Sequence, residues 1–262
     1  MSDAQYIHGT APDEQRRLAE LNRLTNPAFL DFLELRPGDR VLEVGSGLGI
    51  LAGEVARRVP QGRVLGVELS TEQLAQAQPA ANLSFLQGDA HHLPLESDSF
   101  DVVYCRYLLE HVADPPRVLA EMRRVLRPGG QIFLQENNIL IHDLWPACPR
   151  FAAIWQKFAA LQTRLGGDAL IGKKLFALLR QAGFAEIRLS LASETHAAGE
   201  AGFAAWVENL IGNVASGRAA LVLHGLASEA EIDGAMAELR AFRSLPDAAA
   251  YFYWNRAAAV KS

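Results

Sequence analysis

Apolar residues near the start of the chain fall at helical spacing. After Pro12-Asp13-Glu14, leucines recur at positions 18, 21 and 24, and Asn26-Pro27 reads as the cap and first position of a second helix ending near Leu35. The spacing predicts an N-terminal helical pair. Short apolar runs bounded by turn residues then alternate with helical patterns. Strands are predicted at Arg40–Val44, Arg63–Val67, Leu83–Leu86, Phe100–Cys105 and Gln131–Gln135. Helices are predicted from about Leu48 to Arg58, after a Ser70 cap, and after an Asp114 cap with prolines in the first turn. Strands joined by helical crossovers run parallel, so this alternation implies a doubly wound sheet.

Beyond Glu136 the alternation stops. Residues 142–182 read as helical, with Trp145, Phe151, Ile154, Trp155, Phe158 and Leu161 forming an aromatic-rich face. Residues 200–243 also read as mostly helical, while Phe184–Leu191 and Tyr251–Val260 read as two last strands able to close the sheet as an antiparallel pair. The expected fold is therefore α/β, with a doubly wound, mostly parallel, seven-stranded sheet. The expected organisation is a single domain over residues 1–262. Within it, 1–38 is an N-terminal helical cap, 39–141 a cofactor-binding core, 142–182 a helical lid inserted after the fifth strand, and 183–262 the elements completing the sheet.

Composition narrows the classes. Half of the 262 residues are hydrophobic, enough for a sizeable core, and 30 acidic against 25 basic residues leave a net charge of −5. No basic block matches a phosphate backbone, so nucleic acid is not an expected partner. Two cysteines, Cys105 and Cys148, are too few for a disulfide framework or a zinc spacing and fit a reducing, cytoplasmic setting. The polar opening MSDAQYIHGT has no signal-peptide pattern, and no apolar run reaches the roughly 18 residues of a membrane span. A soluble chain with no membrane partner is expected.

The chemistry concentrates where the first predicted strand meets Gly45-Ser46-Gly47-Leu48-Gly49. Glycines there let backbone approach a ligand closely, and the helix start behind them offers free amides and a positive dipole end. Glu68 ends the second strand, about 20 residues on, where an acid accepts from ribose hydroxyls. This is the general arrangement for an adenosine-containing cofactor, but the Gly-x-Gly-x-Gly spacing misplaces the third small residue for a dinucleotide.

At this point the motifs become specific. Val41-Leu42-Glu43-Val44-Gly45-Ser46-Gly47-Leu48-Gly49 resembles the first motif of class I S-adenosylmethionine-dependent methyltransferases. Leu86-Gln87-Gly88-Asp89-Ala90, Leu93-Pro94-Leu95 and Phe100-Asp101-Val102-Val103 resemble that family's adenine loop and fourth strand, and Leu126-Arg127-Pro128-Gly129-Gly130 resembles the turn before its fifth. The resemblance covers residues 41–135. It implies S-adenosylmethionine as cofactor and S-adenosylhomocysteine as product. It gives Gly45, Ser46, Gly47 and Gly49 to the methionine and ribose side, Glu68 to the ribose, and Asp89, Ala90 and Leu69 to the adenine. Arg106 follows the fourth strand, where family members line the cofactor. Tyr6 and Arg17 lie in an N-terminal segment that folds over the cofactor in many relatives.

Acceptor chemistry is less defined. His111, in Tyr107-Leu108-Leu109-Glu110-His111-Val112, is the candidate base, since its ordinary pKa lies near neutrality. His8, Asn137, Asn138 and His142 are candidate substrate contacts, and Trp145, Trp155 and Trp206 are candidates for an apolar or aromatic acceptor pocket. A small-molecule acceptor is expected, because the fourth strand ends in Tyr104-Cys105-Arg106-Tyr107 and not in the tetrad typical of nucleic-acid amino-methyltransferases. No acid directly follows that strand, so no catalytic metal is expected. The alternatives are an NAD-dependent oxidoreductase and a non-catalytic S-adenosylmethionine-binding protein.

Overall fold

The computed structural model describes residues 12–262, with side chains described from Leu21 onward apart from Arg23. Five strands run parallel in the spatial order β3 (Leu83–Gln87), β2 (Arg63–Glu68), β1 (Arg40–Val44), β4 (Phe100–Arg106), β5 (Leu126–Glu136). Both faces are covered, and this explains why β1 and β4 are mostly apolar, with Glu43 and Asp101 the acidic exceptions. Val102 and Tyr104 pack toward α1 (Pro12–Phe32) and α2 (Ile50–Arg58), while Val103 and Cys105 pack toward α4 (Pro115–Val125) and α6 (Leu175–Gln181); the short α3 (Thr71–Leu74) follows β2. In α4, Asp114 caps the start by accepting from the Arg117 amide at 3.0 Å, and Val118, Leu119, Met122 and Val125 form the buried stripe. Each such side chain contributes roughly 1.5–3 kcal/mol on burial.

The sheet continues through β8 (Ala249–Lys261), antiparallel to β5, with β7 (Phe184–Ala197) antiparallel along the length of β8. The expected antiparallel closure is present. An eighth, short strand, β6 (Asp143–Trp145), pairs with the beginning of β8. A third core joins α5 (Pro149–Arg164), α7 (Phe203–Ser216) and α9 (Glu229–Arg243) to the aromatic residues of β8, with α8 (Arg218–Leu223) beside them. Ser228 and Glu231 form a reciprocal capping box at the start of α9.

Three expectations need correction. The N-terminal helical pair is one helix, α1, which continues through Pro27. Proline removes one helical hydrogen bond, yet Phe29, Leu30 and Leu33 beyond it are buried against α2 and the sheet, so packing outweighs the local break. Residues 143–145, read as helical, pair with β8 because Leu144 turns into the third core. Finally, α6, read as part of the lid, packs Leu175 and Leu179 into the sheet core beside α4.

Candidate functional site

The turn between β1 and α2 shapes the site from backbone alone. The Gly45 and Ser46 amides both donate to the Val67 carbonyl, at 2.8 and 3.0 Å, which ties the turn to the end of β2. Gly49 heads α2 at φ +73°, where a Cβ would come within 2.4 Å of the Phe85 ring, so both conformation and room demand glycine. Glu68 accepts from the Gly47 amide on one oxygen and from the Ser70 amide on the other, each at 2.9 Å. An ionised carboxylate has about four acceptor positions, so each oxygen keeps a free one. Leu69 follows, with its apolar side chain 63% exposed.

These residues form one wall of a cavity of about 470 Å³ at the carboxyl ends of the parallel strands, where open α/β sheets bind their ligands. Gly45, Ser46, Gly47, Glu68 and Leu69 line it, as do Arg106 and His111. From the other side come Asn137, His142, Trp155 and Trp206. The cavity thus brings together residues as far apart in the chain as Asn22 and Trp254.

Charges in the wall are held by burial and by specific partners. Glu43, on β1, is the one charged residue in that strand's buried run, and burial pushes its carboxyl up to about 8 against the pull of Arg106. Arg106 itself donates to Asn22 and, at 2.6 and 3.2 Å, to Asn26 and Thr25, and it stacks 5.4 Å from the Phe29 ring. Its guanidinium therefore fastens α1 over the cavity. Glu136, at the end of β5, accepts from the Leu108, Leu109 and Glu110 amides at 3.1, 2.9 and 3.4 Å, holding the turn that carries His111. Burial, reinforced by Glu110, pushes Glu136 up to about 8.

Several predicted residues lie elsewhere. Gly49 stands behind the cavity wall as the head of α2. Asp89 and Ala90 fall outside the cavity lining, although Gly88 just before them bonds the Glu68 carbonyl at 3.0 Å. Burial raises the Asp89 carboxyl, but the His91 amide at 2.8 Å and the His91 ring at 2.7 Å hold it below its ordinary value. Asn138 is buried but absent from the wall, and Trp145 points outward at 68% exposure, because alternation in β6 sends Leu144 inward instead. Tyr6 and His8 lie outside the described residues, as does the Arg17 side chain.

The wall also holds residues that sequence reasoning missed, among them Glu43, Gln73, Gln162, Asn209, Asn213 and Trp254. An acid inside an otherwise apolar strand was a readable signal for Glu43. No such signal marked Asn209 and Asn213, four apart on an apolar helix, until α7 was placed against the cavity.

Residues 42–134 match the family described as "Methyltransferase domain". That stretch carries the motifs that resemble those of class I S-adenosylmethionine-dependent methyltransferases, and the match supports that resemblance. It is 35% identical over 193 residues to an uncharacterized 37.1 kDa protein in transposon TN4556 of Streptomyces fradiae, covering 69% of this chain and 55% of that protein. It is 38% identical over 122 residues to the ubiquinone biosynthesis O-methyltransferase of Hahella chejuensis, covering 43% and 50%. The chain spans about half the length of these curated relatives. In fold it is similar to phosphoethanolamine N-methyltransferase 2 of Haemonchus contortus, solved with S-adenosylhomocysteine, at a TM-score of 0.55 and 20% identity, over 94% of this chain and 52% of that one.

The residues present fit S-adenosylmethionine, the cofactor of the family that the motifs resemble. Besides the free acceptor positions of Glu68, the wall offers the buried Ser46 hydroxyl and a Glu43 oxygen, neither with a protein partner. Buried polar atoms are usually satisfied, and a ligand bearing hydroxyl and ammonium groups would satisfy these. Among the described residues, no helix is long and apolar enough to cross a membrane.

Proposed function

We propose that this methyltransferase transfers the methyl group of S-adenosylmethionine to a small-molecule acceptor with an apolar, ring-bearing body. One observation carries the reading: a single cavity is lined on one side by the glycine turn, Glu68 and Leu69, and on the other by Trp155, Phe158, Trp206 and Trp254. The similarity to a ubiquinone biosynthesis O-methyltransferase supports a small-molecule acceptor.

The cofactor supplies a methyl group on sulfonium, an activated leaving group, so that alignment at near-attack distance does much of the catalytic work. Glu68 would accept from the ribose hydroxyls, Leu69 would cover the adenine face, and the Gly45–Gly47 backbone would bed the methionine end. Asp89, at the same end of the sheet, would accept from the adenine amino group once its contact with His91 yields. The aromatic wall excludes water and orients the acceptor. His111 lies beside Glu110, with Nε2 3.8 Å from the carboxylate, and would take the acceptor's proton. Its turn is held by Glu136, which is how a buried acid far from the ligand keeps the base in position.

The test is an acceptor screen that reads S-adenosylhomocysteine formation, run with the protein and with a Glu68→Ala variant. Turnover with a ring-bearing acceptor, lost in the variant, is the expected result. Binding of cofactor with no turnover across ring-bearing acceptors would contradict the reading.

A further inference from the structure

The far half of the cavity is built from rings, but it is not purely apolar. His142 stacks on Phe252 with centroids 4.5 Å apart, stands edge-on to Trp155 at 5.1 Å, and lies 6.1 Å from Trp206. Both His142 and Trp206 line the cavity. The His142 Nδ1 and the Trp206 Nε1 are buried, and neither has a hydrogen-bond partner. Trp206 is 1% exposed, so its indole N–H has given up water without gaining an acceptor. A buried donor without an acceptor keeps its full desolvation penalty until one is supplied. An indole nitrogen only donates, whereas a neutral imidazole offers one donor and one acceptor.

Charge excludes other heads. Among the described residues of the wall, the only guanidinium is that of Arg106, already engaged by Asn22, Thr25 and Asn26, whereas Glu68 and Glu110 contribute carboxylates. A carboxylate or phosphate head would therefore enter a wall of its own sign. An ammonium head would leave the Trp206 N–H unanswered, because it has no lone pair to offer. A hydroxyl answers both groups, accepting from one and donating to the other.

We propose that Trp206 and His142 are the specificity pair for an uncharged acceptor bearing a hydroxyl on a flat ring, with Trp206 Nε1 donating to the hydroxyl oxygen and the His142 ring receiving its proton in a hydrogen bond. Burial supports this by pushing His142 down to about 3, so the ring is neutral and free to accept across the physiological range. The pair positions and selects. The assignment rests on the methyltransferase reading only in calling the ligand an acceptor.

The test is binding of three probes that share one ring and differ in their heads: p-cresol, p-toluate and p-methylbenzylamine. Each is titrated by calorimetry into the protein, with and without saturating S-adenosylhomocysteine. We expect p-cresol to bind at least about tenfold more tightly than the other two, the worth of a good hydrogen bond over an unanswered one. Trp206→Phe and His142→Phe should each abolish that preference, whereas His142→Gln, which keeps a donor and an acceptor, should retain most of it. S-adenosylhomocysteine affinity should stay within about threefold in all of these variants, well below the loss of one hydrogen bond to a charged group. Should Trp206→Phe fail to fold, the His142 pair of variants decides alone. Equal or tighter binding of p-toluate or the amine, no binding of any probe, or a preference that survives His142→Phe would overturn the proposal. Loss of S-adenosylhomocysteine binding in the unaltered protein would instead count against the methyltransferase reading, and the probe preference without it would still be read.

Discussion

The two walls of the cavity are made in different ways. On the cofactor side, the shape is backbone: three left-handed glycines within five residues, two amides on one carbonyl, and a carboxylate bridging two more amides. On the acceptor side, the shape is side chain: rings and amides delivered by α5, α7 and β8 from far-separated parts of the sequence. A backbone wall tolerates little substitution at its glycines but is indifferent to most neighbours. A side-chain wall can be re-cut for a new ligand by changing one ring. Recognition of a common cofactor and selection of a particular acceptor are thereby separated within one cavity.

That contrast can be broken first at Gly49. Gly49→Val adds a Cβ against Phe85 at a positive φ, so destabilisation of about 3–5 kcal/mol is expected from strain plus overpacking, measured by urea unfolding. Gly129→Ala, also at positive φ but in open space, should cost only about 1 kcal/mol. Equal losses would mean that packing behind the turn is irrelevant. Next, Glu68→Ala should weaken S-adenosylhomocysteine binding by about ten- to a hundredfold, the range for hydrogen bonds to a charged group, while leaving p-cresol binding without cofactor unchanged.

A third prediction concerns pH. Glu43 and Glu136 are raised from 4.5 to about 8 in the folded protein, so the native state keeps protons that the unfolded chain releases. Their contribution to stability is full below about pH 4.5 and is lost as pH rises through about 8. Unfolding free energy should fall across that window with a slope of up to about 1.4 kcal/mol per pH unit per group, and Glu43→Gln should reduce it to about half, leaving the contribution of Glu136. A rising slope would contradict the assignment. The smallest effect is expected for Leu69→Ala, about threefold weaker cofactor binding from loss of one partly exposed apolar contact.

The same contrast explains what was legible in the sequence. The cofactor wall is local, so Gly45-Ser46-Gly47-Leu48-Gly49 and Glu68 could be read from spacing and turn chemistry, and the parallel direction of the five strands followed from the crossovers. The acceptor wall is not local. Trp155 and Trp206 were found by residue type, but Trp145 has the same type and faces outward, because strand alternation in β6 overrides an assumed helical face. The unbroken α1 was illegible for a related reason: Asn26-Pro27 is a good helix start in isolation, and only burial of Phe29, Leu30 and Leu33 shows why the chain does not use it.

The most direct test of the account is calorimetric titration of the protein with S-adenosylhomocysteine and S-adenosylmethionine, with NADH as control. Micromolar binding of both sulfur ligands, weakened at least about tenfold by Glu68→Ala, and no binding of NADH, is the predicted result. Binding of NADH in their place, or no heat from either sulfur ligand, would contradict it.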